Sequence, residues 1–388
     1  MTLRLLAACL ALSLNAAPNR KLSPRVASGV ALVEFEPGTP PYVQRLDAVL
    51  AGAGVRENPD LLPNHLLVEG GVAAFARLAA LPQVHWIFPA STALITGSPV
   101  TPCAGGLVSD ESVATYLCPP WTGWSKAAES WVSLSWFIDR PTARLPQERV
   151  EAEIQRALDE WSRYIQVRFV AQRPDLPQRT IAISFATGSH GDRYPFDGPS
   201  RVLAHAFYPA PVNPENLAGD VHFDDDESWS IGGSPDLYTV ALHEIGHALG
   251  LMHSDDPDAV MFPYYQNQSH QLDADDVAAI QSMYSYRPGA PCAAALDLNI
   301  VDAPARGTSV AASVKTVAGC TWRINATQTW VAAQPASGSG PARLSITVLA
   351  NPLPANRVAV LKITSDREEK TAVVRQARGP HSLISTGY

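Results

Sequence analysis

The run His243-Glu244-Ile245-Gly246-His247-Ala248-Leu249-Gly250-Leu251-Met252-His253-Ser254 leaves its chain little choice of local fold. His243 and His247 stand four apart in an apolar, helix-forming stretch, so both imidazoles leave one helix face a turn apart. That geometry offers two nitrogens to one metal ion. Glu244, next to His243, can reach a water on the metal without itself being a ligand. Gly250 lets the chain leave the helix, and His253 returns as a third ligand. Three neutral ligands leave the fourth position of a zinc open, as a catalytic zinc requires. Two histidines at this spacing arise by accident in buried helices; the extended form with the glycine and the third histidine rarely does.

A second mark follows. Asp258-Ala259-Val260-Met261-Phe262-Pro263-Tyr264-Tyr265 reads as a tight turn with Met261 beneath the metal and a Pro-x-Tyr segment leaving it. Together the two stretches resemble the metzincins, and within them the matrixins (matrix metalloproteinases). The resemblance implies a zinc endopeptidase in which Glu244 is the general base. It also implies that the segment from Pro263 to Tyr265 walls the pocket for the residue after the scissile bond. The edge strand around Val202, Leu203 and Ala204 would hold an extended substrate by backbone pairing.

The chain has 388 residues, enough for two or three domains, and a net charge of −8 with no basic stripe, which argues against a nucleic-acid partner. Residues 1–17 carry one arginine, the apolar run Leu5 to Leu14 and small residues at Ala16 and Ala17, the pattern of a secretory signal peptide. No later stretch is long and apolar enough for a transmembrane anchor, so an exported, extracellular product is expected. Removing the signal removes Cys9 and leaves Cys103, Cys118, Cys292 and Cys320. An even number in an exported chain favours two disulfides, most simply Cys103–Cys118 and Cys292–Cys320, with the other pairings open.

Composition divides the remainder. Residues 18–95 read as a small α+β domain: strands at Val30 to Phe35, His65 to Val68 and Val84 to Phe88, helices at Tyr42 to Ala51 and Val72 to Leu81. The order suggests a ferredoxin-like sandwich and resembles the inhibitor-type propeptides of subtilisin-like proteases. Residues 96–126 are rich in Pro, Gly, Ser and Thr and read as a linker. Residues 127–287 match the matrixin catalytic domain in element order, which implies a twisted mixed sheet with three helices. Residues 288–388 turn to short β-rich runs and predict an all-β sandwich of immunoglobulin size. That segment resembles the BACON domains of bacterial secreted proteins, which implies carbohydrate or mucin as a ligand; a spacer role fits the same pattern. The whole is a multidomain α+β chain.

Six of the ten histidines fall between residues 190 and 253. The matrixin resemblance assigns His190, Asp192, His205 and His222 to a structural zinc, a full tetrahedral shell with no open position. It assigns Asp197, Asp224 and Glu227, with backbone oxygens of Gly198, Ser200 and Val202, to calcium, which favours an all-oxygen shell. Thr180 replaces the family's aspartate at the start of one strand, so a second calcium site is not expected, although Asp220 is retained. Two zinc ions and at least one calcium are the implied cofactors.

Matrixin propeptides present a cysteine to the zinc from a Pro-Arg-Cys-Gly-x-Pro-Asp motif. Thr101-Pro102-Cys103-Ala104-Gly105-Gly106 keeps only a fragment and lacks the arginine. The expectation is therefore a disulfide at Cys103 and a cleft blocked by the N-terminal domain, with the cysteine switch as the alternative. The favoured function is a secreted endopeptidase acting on extracellular protein. The competing class is a binding or adhesion protein with an inactive metalloprotease domain.

Overall fold

The computed structural model describes residues 21–379 except 24, 27–28, 37, 99, 104–105, 108–122, 125–130, 172–177, 266–270, 285, 288, 299, 318 and 367–368. The expected signal segment and Cys118 lie outside the described residues. The chain forms two compact units, one of residues 1–162 and 167–271, the other of residues 163–166 and 272–388.

The first unit begins with β1 (Gly29–Phe35), α1 (Pro41–Leu50), β2 (Gly54–Arg56), β3 (His65–Gly70), α2 (Val72–Ala79) and β4 (Val84–Pro89). The strands form an antiparallel sheet in the order β2-β3-β1-β4. The short β2 is absent from the sequence reading, because three residues carry no legible alternation. Side chains on a strand alternate between faces, and here both faces are buried. Ala31, Val33, Phe35, Leu66 and Val68 pack with Ala48, Phe75 and Leu78 of the two helices. Leu32, Leu67 and Phe88 turn the other way and pack with Leu94, Val100, Phe262 and Tyr264. A sheet covered on both sides needs continuous apolar runs, and Val30-Ala31-Leu32-Val33 is one.

The segment read as a linker is partly built. α3 (Thr92–Thr96), capped by Ser91, whose Oγ accepts from Leu94 N–H, leads into it, and it holds β5 (Thr101–Pro102) and β6 (Gly106–Leu107). Both strands pair with partners from the metalloprotease-like part of the unit, so their structure comes from tertiary partners that local composition cannot reveal.

That part contains β7 (Val132–Arg140), α4 (Gln147–Ser162), β8 (Val167–Ala171), β9 (Thr180–Ala186), β10 (Ala204–Phe207), β11 (Val221–Asp224), α5 (Leu237–Ala248) and β12 (Tyr264–Tyr265). Its mixed sheet runs β6-β10-β11-β9-β7-β8. Helix α4 is amphipathic and buries Val150, Ile154, Ala157, Leu158 and Trp161; the Trp161 indole N–H donates to the Leu242 carbonyl at 2.9 Å and so locks α4 to α5.

The second unit holds α6 (Ala274–Met283), then β13 (Ala295–Leu296), β14 (Ile300–Ala303), β15 (Thr308–Lys315), β16 (Thr321–Ala326), β17 (Val331–Gln334), β18 (Ser337–Ser339), β19 (Ala342–Val348), β20 (Arg357–Thr364) and β21 (Glu369–Gln376). The expected closing helix of the metalloprotease domain thus groups with the C-terminal strands. Two sheets, β13-β15-β19-β17 and β14-β21-β20-β16-β18, enclose a core that includes Trp322, Ile324, Ile346, Leu361 and Val374. The expected Cys292–Cys320 disulfide is formed. Among the described residues no helix is long and apolar enough to cross a membrane.

Candidate active site

Helix α5 is buried along its whole length, and that burial makes its polar residues informative. Asp236 caps its start, accepting from Thr239 N–H. Gly250, at φ 108°, ends it: Gly250 N–H donates to His247 O at 2.8 Å and Leu251 N–H to Gly246 O at 2.9 Å. This αL turn sends the chain back so that His253 faces His243 and His247. Gly246 is required by packing, since a Cβ there would stand 2.3 Å from the Met261 sulfur and 3.0 Å from the Trp161 ring. Met261 therefore packs against the helix at Gly246, between the two helical histidines in sequence.

Hydrogen bonds fix which nitrogen of each helical histidine faces inward. His243 Nδ1–H donates to Val260 O at 2.6 Å and His247 Nδ1–H to Leu251 O at 2.7 Å. Their Nε2 atoms then converge at 3.1 Å, and His253 Nε2 is buried with no hydrogen-bond partner. Burial holds all three imidazoles neutral: His243 is lowered to about 4, and His247 and His253 fall well below the usual value, helped by neighbouring histidines. Burial pushes Glu244 up to about 8, against a lowering hydrogen bond from Cys103. Its Oε2 is buried and unpaired.

Cys103 corrects one expectation. It is not half of a disulfide with Cys118; it is a buried thiol. Cys103 Sγ donates to Glu244 Oε1 at 3.3 Å and lies 3.7 Å from His247 Nε2. One donor atom from each of Cys103, His243, His247 and His253 falls within 4.8 Å of the others. The placement has a backbone cause. Pro102 and Thr101 pair antiparallel with Tyr264 and Tyr265, and Cys103 N–H donates to Pro263 O at 2.9 Å. The parity count failed because it treated every exported cysteine as structural. Three neutral imidazoles and one thiol, with orphaned polar atoms facing inward, are a donor set that zinc fits.

The cleft is occupied by the chain itself. β6 adds to the edge of β10 in parallel, Gly106 opposite Ala206 and Leu107 opposite Phe207. The edge strand expected around Val202 to Ala204 starts at Ala204, and Val202 and Leu203 lie in the loop before it. A cavity of about 40 Å³ remains, lined by Leu203, Ala204, Thr239, Val240, His243, Glu244 and Tyr265 among others. Tyr265 also fixes the helix start, its OH accepting from Asp236 N–H at 2.9 Å. Pro263 contributes through its carbonyl. Tyr264, inside the segment expected to wall the pocket, and Phe262, to which the sequence reading gave no role, also line it.

A second cluster lies on the sheet. The antiparallel register of β10 and β11 sets His205 opposite His222. Asp192 Oδ2 accepts from His205 Nε2 at 3.0 Å and His222 Nδ1 at 2.8 Å. His190 Nδ1–H donates to Gly188 O at 2.8 Å, which leaves its buried Nε2 without a hydrogen bond, 2.9 Å from the same carboxylate oxygen. These four form the other donor group within 4.8 Å. Burial opposes ionisation of Asp192, but hydrogen bonds from His205, His222 and Tyr194 N–H outweigh it and hold the carboxyl below the usual range. The set fits a zinc with no open position.

The expected calcium residues sit nearby. Asp224 is fully buried with Oδ2 unpaired, and burial raises both Asp224 and Glu227, which also repel each other and Asp197. Ser200 N–H donates to Glu227 Oε1 at 2.6 Å and Val202 N–H to Asp197 Oδ1 at 3.3 Å. Gly198 and Ser200, both at positive φ, shape the loop.

Comparison with known proteins agrees with this geometry. The matrixin family model matches residues 123–285, and the BACON binding-domain model matches residues 321–377. The chain thus carries a matrixin domain followed by a BACON domain. Similar relatives are karilysin of Tannerella forsythia (45% identical over 155 residues, 40% of this chain and 32% of that one) and stromelysin-2 of Rattus norvegicus (44% over 160 residues, 40% and 32%). Matrilysin of Felis catus is 41% identical over 170 residues, 42% of this chain and 63% of its own. The chain spans about a third of the length of the first two.

Proposed function

We propose that the chain is the zymogen of a secreted zinc endopeptidase of the matrixin type, captured with its switch closed. The observation that carries this reading is Cys103, whose thiol occupies the fourth corner of the His243, His247 and His253 donor set beside Glu244. Bound there, zinc would polarise the scissile carbonyl and acidify a water. Glu244 would take that water's proton and pass it to the departing amine. His243 and His247 are kept in the right tautomer by Val260 and Leu251. Leu203, Ala204, Pro263 and Tyr265 would seat an extended protein or peptide substrate, and Met261 would support the site from below.

Residues 18–95 serve as a propeptide, which we read as ferredoxin-like from its sheet order, and residues 101–107 deliver the thiol. Residues 127–287 are the catalytic domain and 288–388 a binding module whose ligand class is carbohydrate or mucin. His190, Asp192, His205 and His222 hold a structural zinc; Asp197, Gly198, Ser200, Val202, Asp224 and Glu227 hold a calcium. The adhesion-protein alternative gains nothing from the site, because Glu244 and all three histidines are in place.

The test compares uncut precursor with Cys103→Ser, using a peptide library and intact-mass control. The variant should cleave above the wild-type background, and a zinc chelator should abolish that cleavage. A silent variant that becomes active only after the N-terminal domain is cut away would remove the thiol from the mechanism.

A further inference from the structure

The segment before β1 has a role that the zymogen reading alone does not give it. Residues 21–23 pair with β4: Ser23 N–H donates to Ile87 O at 2.8 Å, and Ile87 N–H to Lys21 O at 2.7 Å. This edge pairing fixes Arg25 to the N-terminal sheet. The Arg25 side chain is 2% exposed, and its guanidinium reaches across to the loop after His253. Nε lies 3.4 Å from Asp255 Oδ1, and Nη1 pairs with Asp256 Oδ2. Ser23 Oγ donates to Asp255 Oδ2 and accepts from Arg25 N–H at 3.1 Å.

The gripped loop is the one that carries the third histidine. It runs from His253 to Met261, with Ser254 N–H donating to Met261 O at 2.8 Å. Asp256 shapes its middle, accepting from Asp258 N–H at 3.1 Å. Two adjacent carboxylates here are 11% and 9% exposed, a placement that is costly unless a cation compensates them. Arg25 compensates both.

We infer that Arg25 is a second latch of latency, separate from the thiol: it clamps the N-terminal domain onto Asp255 and Asp256 and so holds Cys103 in the cleft. The inference rests on the zymogen reading above. The Thr101-Pro102-Cys103 segment has no arginine of its own, and the clamp comes from a distant part of the chain. Two locks on different loops make opening cooperative. Losing the thiol leaves the domain held through Arg25 alone, so the cleft opens only part of the time; losing Arg25 leaves the thiol to hold a loosened lid. A strong effect is expected from breaking the pair on one side only, because the buried partner is then uncompensated.

The experiment is alkylation of Cys103 by iodoacetamide in the zinc-loaded full-length precursor, read as the initial rate by peptide mass. Wild type should react slowly. Arg25→Gln should react at least about tenfold faster, and Arg25→Lys should return only part of the way, since it keeps the charge but not the fork that reaches both carboxylates. Asp255→Asn, which leaves the N-terminal domain untouched, should also accelerate labelling. Circular dichroism and melting curves establish that each variant is folded. In peptide cleavage by the uncut chain, Arg25→Gln with Cys103→Ser should exceed Cys103→Ser alone.

Labelling of Arg25→Gln and Asp255→Asn within twofold of wild type would overturn the latch. Acceleration by Arg25→Gln alone would also overturn it, showing that Arg25 acts only within its own domain. Rapid labelling of the wild type would instead overturn the zymogen reading, and the two failures are thereby distinct.

Discussion

Two histidine clusters in one unit have the same number of donors and opposite logic. In the sheet cluster all four donors come from the span His190 to His222, two of them locked opposite each other by strand register. Its fourth partner, Asp192, is a carboxylate at the hub of three imidazoles. In the helix cluster the fourth partner is a thiol from a segment 141 residues before Glu244 in the chain. A donor supplied by the cluster's own loop cannot leave without local unfolding; a donor supplied by a docked segment can. On the proposed reading, permanence and switching are decided by where the fourth donor is tethered, more than by which residue it is.

The largest effect that would sharpen this contrast is on turnover. Glu244→Gln in the activated enzyme should lose roughly 10² to 10⁴ in rate while keeping zinc, since the change is isosteric at a residue that is not a ligand. Peptide hydrolysis and metal analysis check it, and near-wild-type rates would take Glu244 out of the chemistry. The closed cluster should answer differently. Asp192→Ala leaves three clustered imidazoles without their hub and should lose one of two zincs, with about 3 kcal/mol or more of stability. If both zincs and the melting temperature survived, the two clusters would not differ as argued.

Effects that appear only as conditions change surround β11. Burial raises Asp220 to about 7, with Asp139 adding to the rise and the Ala182 N–H opposing it. A carboxyl raised in the folded state stabilises below its unfolded value, near pH 4, and that contribution is lost as pH rises through about 7. Wild type should therefore lose up to about 4 kcal/mol between pH 4 and 8 that Asp220→Asn does not lose. Melting curves against pH check the sign, and an unchanged slope would mean that a cation compensates Asp220. The smallest effect concerns calcium. Chelation that spares zinc should lower stability by about 1 to 3 kcal/mol, because a ligand bound only by the folded state acts by mass action. An unaltered melting temperature at controlled free calcium would remove calcium from Asp197, Asp224 and Glu227.

The helix cluster was legible because one turn of helix and a glycine exit fix three donors within eleven residues of sequence. The sheet cluster was legible only through the resemblance, since strand register is a property of paired chains. What stayed hidden came from far away. Around Cys103 only a fragment of the switch motif hinted at the histidine cluster and parity outweighed it, while nothing near Arg25 points to Asp255 and Asp256. Short β5 and β6 exist because they pair with the cleft, so the composition of a linker was all the sequence could display. One signal was available: Val30 to Val33 is apolar without alternation, which implies that something covers both faces of that strand.

If the N-terminal domain is the propeptide proposed above, the second face of its sheet sets the direction of activation. Leu32, Leu67 and Phe88 are dry only while Phe262 and Tyr264 lie against them. Once excised, the discarded piece would present a bare apolar sheet to water, a surface that invites aggregation and digestion. Its partner gains by the same separation, because Phe262 and Tyr264 then offer an empty oily wall to an incoming side chain. On the zymogen reading proposed above, activation is a ratchet: the piece that leaves is unfit to return.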